Sequence, residues 1–495
     1  MPKGYLVLMG GGEDCDIIFN RMFDLAGGKH LSRIAIIPSA SSHVSETLHS
    51  YDEYFVNELG IDENNIWQVP LATSDDPESE DVDEEKWKDN AWENEIATKI
   101  KEYNIVFFVG GDQRKYIDAL KKNNVDSPLL RAIEEMYIDG AILAGTSAGT
   151  NVLCKKSIAG GISEDGLMNR IAYRNEDDDG HKLLILDGLG LVDNMILDTH
   201  FETRGRMGRL VDAAVLTQSS YGIGISEKTA VIISPDNTIE VIGYGDVIFA
   251  NLSNARIINK INDPLHVRDI NINLFTHGDR YNIVSGGFVP YFKKESILNT
   301  PYFDANDYYI SLNVFKDHET SHIMINYMLD NEAKDVIAIS DYDKQYRQGD
   351  VTSFVRYIET DKTESWFCKM VFDDESEQYD NYSGTNVMLD IIPLKFVDEY
   401  FRAKNFNAVI FGVKENVQVV VFDNIATSPI VDAKIFVYDA NGKPIFKKGS
   451  DRYGRSSVRV AFNEGEEYTI RISYDNKEKS TSFIFMPDME GLCLY

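Results

Sequence analysis

Cysteine is scarce: Cys15, Cys154, Cys368 and Cys493 are the four present in 495 residues. They stand far apart with no Cys-x-x-Cys spacing, which excludes a zinc ribbon and a disulfide framework and fits a reducing compartment. Basic residues are few as well, 49 Lys and Arg against 80 Asp and Glu, for a formal net charge of -31. Binding phosphate requires clustered cations that release counterions, so nucleic acid and anionic membranes are excluded as partners. No apolar run is long enough to span a bilayer. No basic, apolar leader precedes the first strand at Tyr5-Leu6-Val7-Leu8-Met9, so the cytoplasm is the expected location. The glycines after that strand, Gly10-Gly11-Gly12, do not continue into Gly-x-Gly-x-x-Gly, and neither a cofactor nor a metal is expected.

What is present is an alternation of short apolar strands with amphipathic helical segments over the first 290 residues. Strands are expected at 5–9, 34–37, 66–69, 105–109, 141–144 and 195–197, and helices at 15–25, 44–59 and 92–102. That order predicts an α/β unit with a parallel sheet covered by helices on both faces. The acidic stretch at 75–89 reads as a solvated loop. Residues 291–412 read as a mixed α+β region with no attached chemistry. From 413 to 495 strands and turns alternate, as in Tyr468-Thr469-Ile470-Arg471-Ile472, which predicts a small all-β sandwich. A prior of about 150 residues per domain agrees with three units.

The chemistry centres on Gly145-Thr146-Ser147-Ala148-Gly149, directly after a buried strand. Small residues permit the sharp strand-to-helix turn that exposes a serine hydroxyl at the strand's carboxyl end, a nucleophile elbow. The same residues also suit an ordinary helix cap. Gly110-Gly111-Asp112-Gln113 ends another strand and presents backbone amides to the crevice where open α/β sheets bind ligands, so Gly111 joins Ala148 as a candidate oxyanion donor. His200 follows the strand at 195–197, well placed to serve as a base for a neighbouring serine. Arg204, Arg206 and Arg209 come next and suit either local acids or a substrate carboxylate.

Gly10 to Asp14, the Gly-Gly-Asp-Gln turn, the serine elbow, Asp198-Thr199-His200-Phe201 with its three arginines, and Gly222-Ile223-Gly224-Ile225-Ser226-Glu227-Lys228-Thr229-Ala230 follow one another as in the cyanophycinase and dipeptidase E family of serine peptidases. Residues 4–286 resemble that family, and its cyanophycinase branch more closely. The resemblance implies a flavodoxin-like, class I glutamine amidotransferase-like three-layer fold with Ser147 as nucleophile and His200 as base. It implies a triad acid a short interval after the nucleophile, Glu164 or Asp165, with Glu164 preferred. Gln113, Asp198, Thr199, Arg204, Arg206 and Arg209 would then line the substrate pocket. Family members commonly carry glutamine where Thr199 stands, the acidic segment 176–179 looks inserted, and the chain beyond about 290 is additional. The last segment is similar to transthyretin-like, carboxypeptidase-regulatory modules.

The expected activity is a serine exopeptidase acting on aspartyl peptides, with β-Asp-Arg units of a cyanophycin-like polymer as the named candidate. An amidotransferase-like amidohydrolase and a noncatalytic peptide-binding protein are the competing readings. A homodimer stays open, as does the role of the last 200 residues in assembly or substrate delivery.

Overall fold

The computed structural model describes residues 2–76, 78–79, 82–168, 183–259, 263–298, 300–302, 310–340, 351–371, 378–397, 406–423 and 428–494. The acidic run 176–179 lies outside them, as does the side chain of Asp165.

The strands that organise the site are β1 (Leu6–Met9), β2 (Ile34–Ile37), β3 (Ile66–Gln68), β4 (Ile105–Phe108), β5 (Ile142–Thr146), β6 (Met195–Thr199), β7 (Tyr221–Ile225) and β8 (Thr229–Ile233). Strands β1 to β5 are parallel neighbours in the order β3-β2-β4-β5-β1, and antiparallel β8 pairs with β1 to extend the sheet. A flavodoxin-like sheet would run 2-1-3-4-5. Here the N-terminal strand occupies the place beyond β5, so Ser147 at the end of β5 sits directly beside the Gly10-Gly11-Gly12 turn that ends β1.

Strands β1, β2, β4, β5 and β8 are buried on both faces, and alternate residues feed separate layers. Val7, Ile36, Phe107 and Ala144 pack with Phe19 and Phe23 of α1 (Asp16–Leu25) and Leu48 of α2 (Val44–Glu53). Leu6, Leu8, Val106 and Leu143 pack on the other side with Tyr116 of α4 (Gln113–Leu120) and Ile133 of α5 (Pro128–Asp139), while α3 (Asn94–Lys99) contributes Ala97 to that layer. Helix α5, which was not among the expected helices, is capped at both ends: Ser127 Oγ accepts from Leu130 N at 3.1 Å, Pro128 starts the helix, and Gly140 ends it at φ 129°.

A second sheet starts from β6 and β7 and runs through Val247–Asn251 and Val267–Phe275 into Gln378–Val397. It continues through Gly491–Leu494 and Asn407–Val413 to Asn416–Phe422. The hydrogen-bonded ladder therefore crosses 290 and 412 without a break. Composition and turn signals change at those positions, but the choice of strand partners does not follow from either. Towards the C-terminus, Ala408, Ile410, Val419 and Val421 of this sheet face Ile435, Val437, Ile470 and Ile472 of a separate four-stranded sheet, giving a β-sandwich. No helix among the described residues is long and apolar enough to cross a membrane.

Candidate active site

Ser147 adopts φ 52°, ψ -116° at the start of α6 (Ala148–Val152). A non-glycine residue holds such a conformation only when its surroundings fix it. Ser147 N donates to Met9 O at 3.1 Å, and Thr150 Oγ1 donates to the same oxygen at 2.8 Å. The flanking glycines are required by contact: a Cβ on Gly145 would lie 2.5 Å from Gly149 O, and one on Gly149 would lie 2.2 Å from Phe108 O.

His200 follows β6 and is also left-handed, at φ 49°. Its N donates to Gly10 O at 2.8 Å, which brings the ring over the β1 turn. His200 Nε2 lies 2.8 Å from Ser147 Oγ, and Nδ1 lies 2.6 Å from Glu227 Oε1. The carboxylate accepts, so Nδ1 carries the proton and the Nε2 lone pair faces the serine hydroxyl. Thr203 Oγ1 donates to the same Glu227 oxygen at 3.2 Å. Burial lowers the His200 pKa below the usual imidazole value, the Glu227 hydrogen bond opposes that shift, and the Arg204 and Arg206 charges reinforce it. The imidazole is therefore neutral near pH 7, as a general base must be. Glu227 is lowered, first by its bond to His200.

The carboxylate on the imidazole is thus Glu227, not Glu164. Glu164 belongs to α7 (Ser163–Met168), whose Ser163 donates from Oγ to Gly205 O at 2.6 Å and accepts from Arg209 N at 3.3 Å. That helix supports the arginine segment, and both ring nitrogens of His200 are already engaged, by Ser147 and Glu227. The side chain of Asp165, the other expected acid, lies outside the described residues. Glu227 was available within the Gly222 to Ala230 block. Parallel pairing sets Thr199 opposite Ile225, so His200 and Ser226 leave the sheet at one level and the next residue faces the ring.

Gly111, Gln113, Ser147, Ala148, Thr199, His200, Arg204, Arg206 and Arg209 all line one cavity of about 180 Å³. Gly111 has φ 136°, and a Cβ there would lie 2.1 Å from Ala40 O, so the turn accepts only glycine. Asp198 does not line the cavity; it is fully buried beneath it. Arg209 grips it with Nε on Oδ2 and Nη2 on Oδ1, both at 2.6 Å, and Arg206 Nη1 lies 3.3 Å from Oδ1. Burial pushes the Arg206 guanidinium down to about 9 against the pull of Asp198. Gln113 Nε2 donates to Ile158 O at 2.5 Å. Arg204 is exposed, and among the described residues it has no ion-pair partner. Sequence reasoning missed Asn151, one turn into α6, which also lines the cavity with a buried Oδ1 that has no hydrogen-bond partner.

The sequence pattern of peptidase family S51 matches residues 6–241. A protein named cyanophycinase from Geminocystis herdmanii is 31% identical over 288 residues, 57% of this chain and 94% of the relative. The cyanophycinase of Trichormus variabilis is 27% identical over 296 residues, 58% of this chain and 88% of its own length. Among solved structures, a peptidase from an acI-B1 Actinobacterium is 21% identical, covering 57% of this chain and 98% of that one, with a TM-score of 0.39. The chain belongs to peptidase family S51 and is a serine-type peptidase.

Proposed function

We propose that this chain is an exopeptidase of cyanophycinase type that hydrolyses aspartyl peptides, with release of β-Asp-Arg dipeptides from a cyanophycin-like polymer as the reaction to test first. The observation that carries the reading is the Ser147, His200 and Glu227 relay opening on a cavity rimmed by arginine. Ser147 Oγ attacks the scissile carbonyl carbon while His200 Nε2 takes its proton. The Gly111 and Ala148 amides hold the oxyanion, and Glu227 steadies the imidazolium. His200 then protonates the leaving amine, and water attacks the acyl-serine by the same route in reverse.

Arg209 is held bidentately by the buried Asp198 and stiffens the floor; Arg206 shares that single carboxylate at 3.3 Å, so a net positive charge remains there and, with the exposed Arg204, is available to a substrate carboxylate. A cavity of about 180 Å³ suits one residue's head group, which supports removal of a terminal unit. Four buried cysteines, none of them in a disulfide, support a cytoplasmic setting. The division at about 290 and 412, with a carboxypeptidase-regulatory-like last segment, is part of the same proposal. The test is incubation of wild type and Ser147→Ala with cyanophycin and a panel of α- and β-aspartyl peptides, with fragments read by mass spectrometry. Serine-dependent release of β-Asp-Arg is the expected result. Release from other aspartyl peptides alone would discard the polymer, and tight binding without hydrolysis would discard the enzyme mechanism.

A further inference from the structure

The loop after His200 is bonded to a segment near residue 320, well past residue 241 where the family match ends. His318 N donates to Glu202 O at 2.9 Å. Ser321 donates to Glu202 Oε2 twice, from N at 3.1 Å and from Oγ at 2.9 Å. Gly205 lies so close to the same segment that a Cβ there would stand 1.7 Å from Phe315 O. Between these anchors the loop carries Thr203, which bonds Glu227, and Arg204 at the cavity.

The acid's side is tied to the same place. Ser226, directly before Glu227, donates from Oγ to Asp246 Oδ1 at 2.5 Å and from N to Asp246 O at 3.1 Å. Asp246 in turn interacts with Ser321 and with Glu202. Base and acid therefore both flank one buried cluster, to which the added region supplies His318, Glu319, Ser321 and Tyr357.

The loop needs an anchor. His200 at φ 49° and Gly205 at φ 54° are both left-handed, with a single tight turn, Glu202–Arg204, between them. Glycine adopts that conformation freely, but the strain at His200 persists only where packing over-determines it. Glu202 is 1% exposed and its Oε1 has no hydrogen-bond partner. Burial, reinforced by Asp246 and Glu319, pushes its carboxyl well above the usual carboxylate range. The side chain acts through its shape and through the two Ser321 bonds.

We propose that Glu202 is a positioning residue: with His318 and Ser321 of the added region it clamps the loop that carries His200 and Arg204, holding the imidazole between Ser147 and Glu227. The proposal rests on the Ser147, His200 and Glu227 relay. It assigns the added region a part in catalysis.

The test uses full-length wild type, Ser147→Ala, Glu202→Gln and Glu202→Ala, each shown to be folded. Two measurements are made: steady-state kinetics, giving kcat and KM, on an aspartyl peptide that wild type hydrolyses, and the rate at which a fluorophosphonate probe labels Ser147. Glutamine keeps the shape and the carbonyl acceptor, so Glu202→Gln should stay within about threefold of wild type in both. Glu202→Ala should lose about 10²-fold in kcat and in labelling, the scale of loss from misplacing a catalytic group by about 1 Å. If Glu202→Ala does not fold, Ser321→Ala replaces it, with an expected loss of about fivefold in both for one hydrogen bond. A folded Glu202→Ala, or its replacement, with wild-type kcat and labelling would overturn the clamp, as would equal impairment of Glu202→Gln and Glu202→Ala. Undiminished hydrolysis by Ser147→Ala would instead remove the relay, and the clamp with it.

Discussion

Replacing the carboxylate that lies two hydrogen bonds away from the Ser147 hydroxyl tests the acid assignment most directly. Glu227→Gln keeps the size of the side chain but removes the charge that fixes the His200 tautomer. Neutralising the acid of such a relay costs about 10⁴-fold in kcat, and a loss on that scale is expected here. Glu164→Gln should stay within about twofold, because both ring nitrogens of His200 are already bonded, to Ser147 and Glu227. Steady-state kinetics on both variants decides the matter: a large loss in Glu164→Gln and none in Glu227→Gln would reverse the assignment. The pH dependence has a definite sign. His200 must be neutral to act, and its pKa is lowered, chiefly by burial. Activity read as kcat/KM should therefore persist below the usual imidazole range and be lost only as pH falls through the depressed value. Arg204 adds to that depression, so Arg204→Gln should let the pKa rise and move the acidic limb to higher pH. A limb that stays put, or moves down, would show that Arg204 does not face the imidazole in solution.

At the scale of the elements, the β1 turn and the β5 elbow fit together through glycine. Gly11 has φ 87°, and a Cβ there would lie 2.6 Å from both Cε1 and Nε2 of His200. Gly11→Ala should therefore lower kcat by about 10²-fold by pushing the ring off Ser147, while a urea melt shows a smaller change in stability. Unchanged turnover would mean that the ring does not rest against the turn. These contacts explain what could be read from sequence. Ser147 and His200 were legible because each declares itself locally, as a reactive side chain at the carboxyl end of an apolar strand. The strands of the first sheet and the helices expected at 15–25, 44–59 and 92–102 were legible because apolar runs and their periodicity mark them, whereas the helix Pro128–Asp139, capped by Ser127 and Gly140, was not expected. Glu227 was not assigned, because its role depends on β6 and β7 being parallel neighbours in register, Asp198 opposite Gly224 and Thr199 opposite Ile225. Hydrophobic periodicity identifies strands but not their partners. The same limit hid the position of β1 beyond β5, and the burial of Asp198 under two of the three arginines.

Across the whole molecule, that limit also concealed how the peptidase part is tied to the chain beyond residue 290. The ladder between Val267–Phe275 and Gln378–Val397 is pinned by a buried charge: Lys294 Nζ lies 2.9 Å from both oxygens of Asp279, whose Oδ2 also accepts from Ser383 Oγ at 2.5 Å. Both members of the ion pair are essentially inaccessible to water, with side chains 0% and 1% exposed. Removing one partner leaves a charge buried without compensation, so Lys294→Met should cost about 3–5 kcal/mol of unfolding free energy, measured in urea. Because the sheet is continuous, tertiary signal and Ser147 labelling should disappear together in one transition, at a lower midpoint than in wild type. Adding Asp279→Asn to Lys294→Met removes the stranded charge while keeping an acceptor for Ser383, and should recover part of the loss. If labelling outlasts the first unfolding transition, the peptidase sheet folds independently and the ladder beyond residue 290 is dispensable to it. If the double variant is no more stable than the single one, the penalty arises from packing around Lys294 and not from its charge.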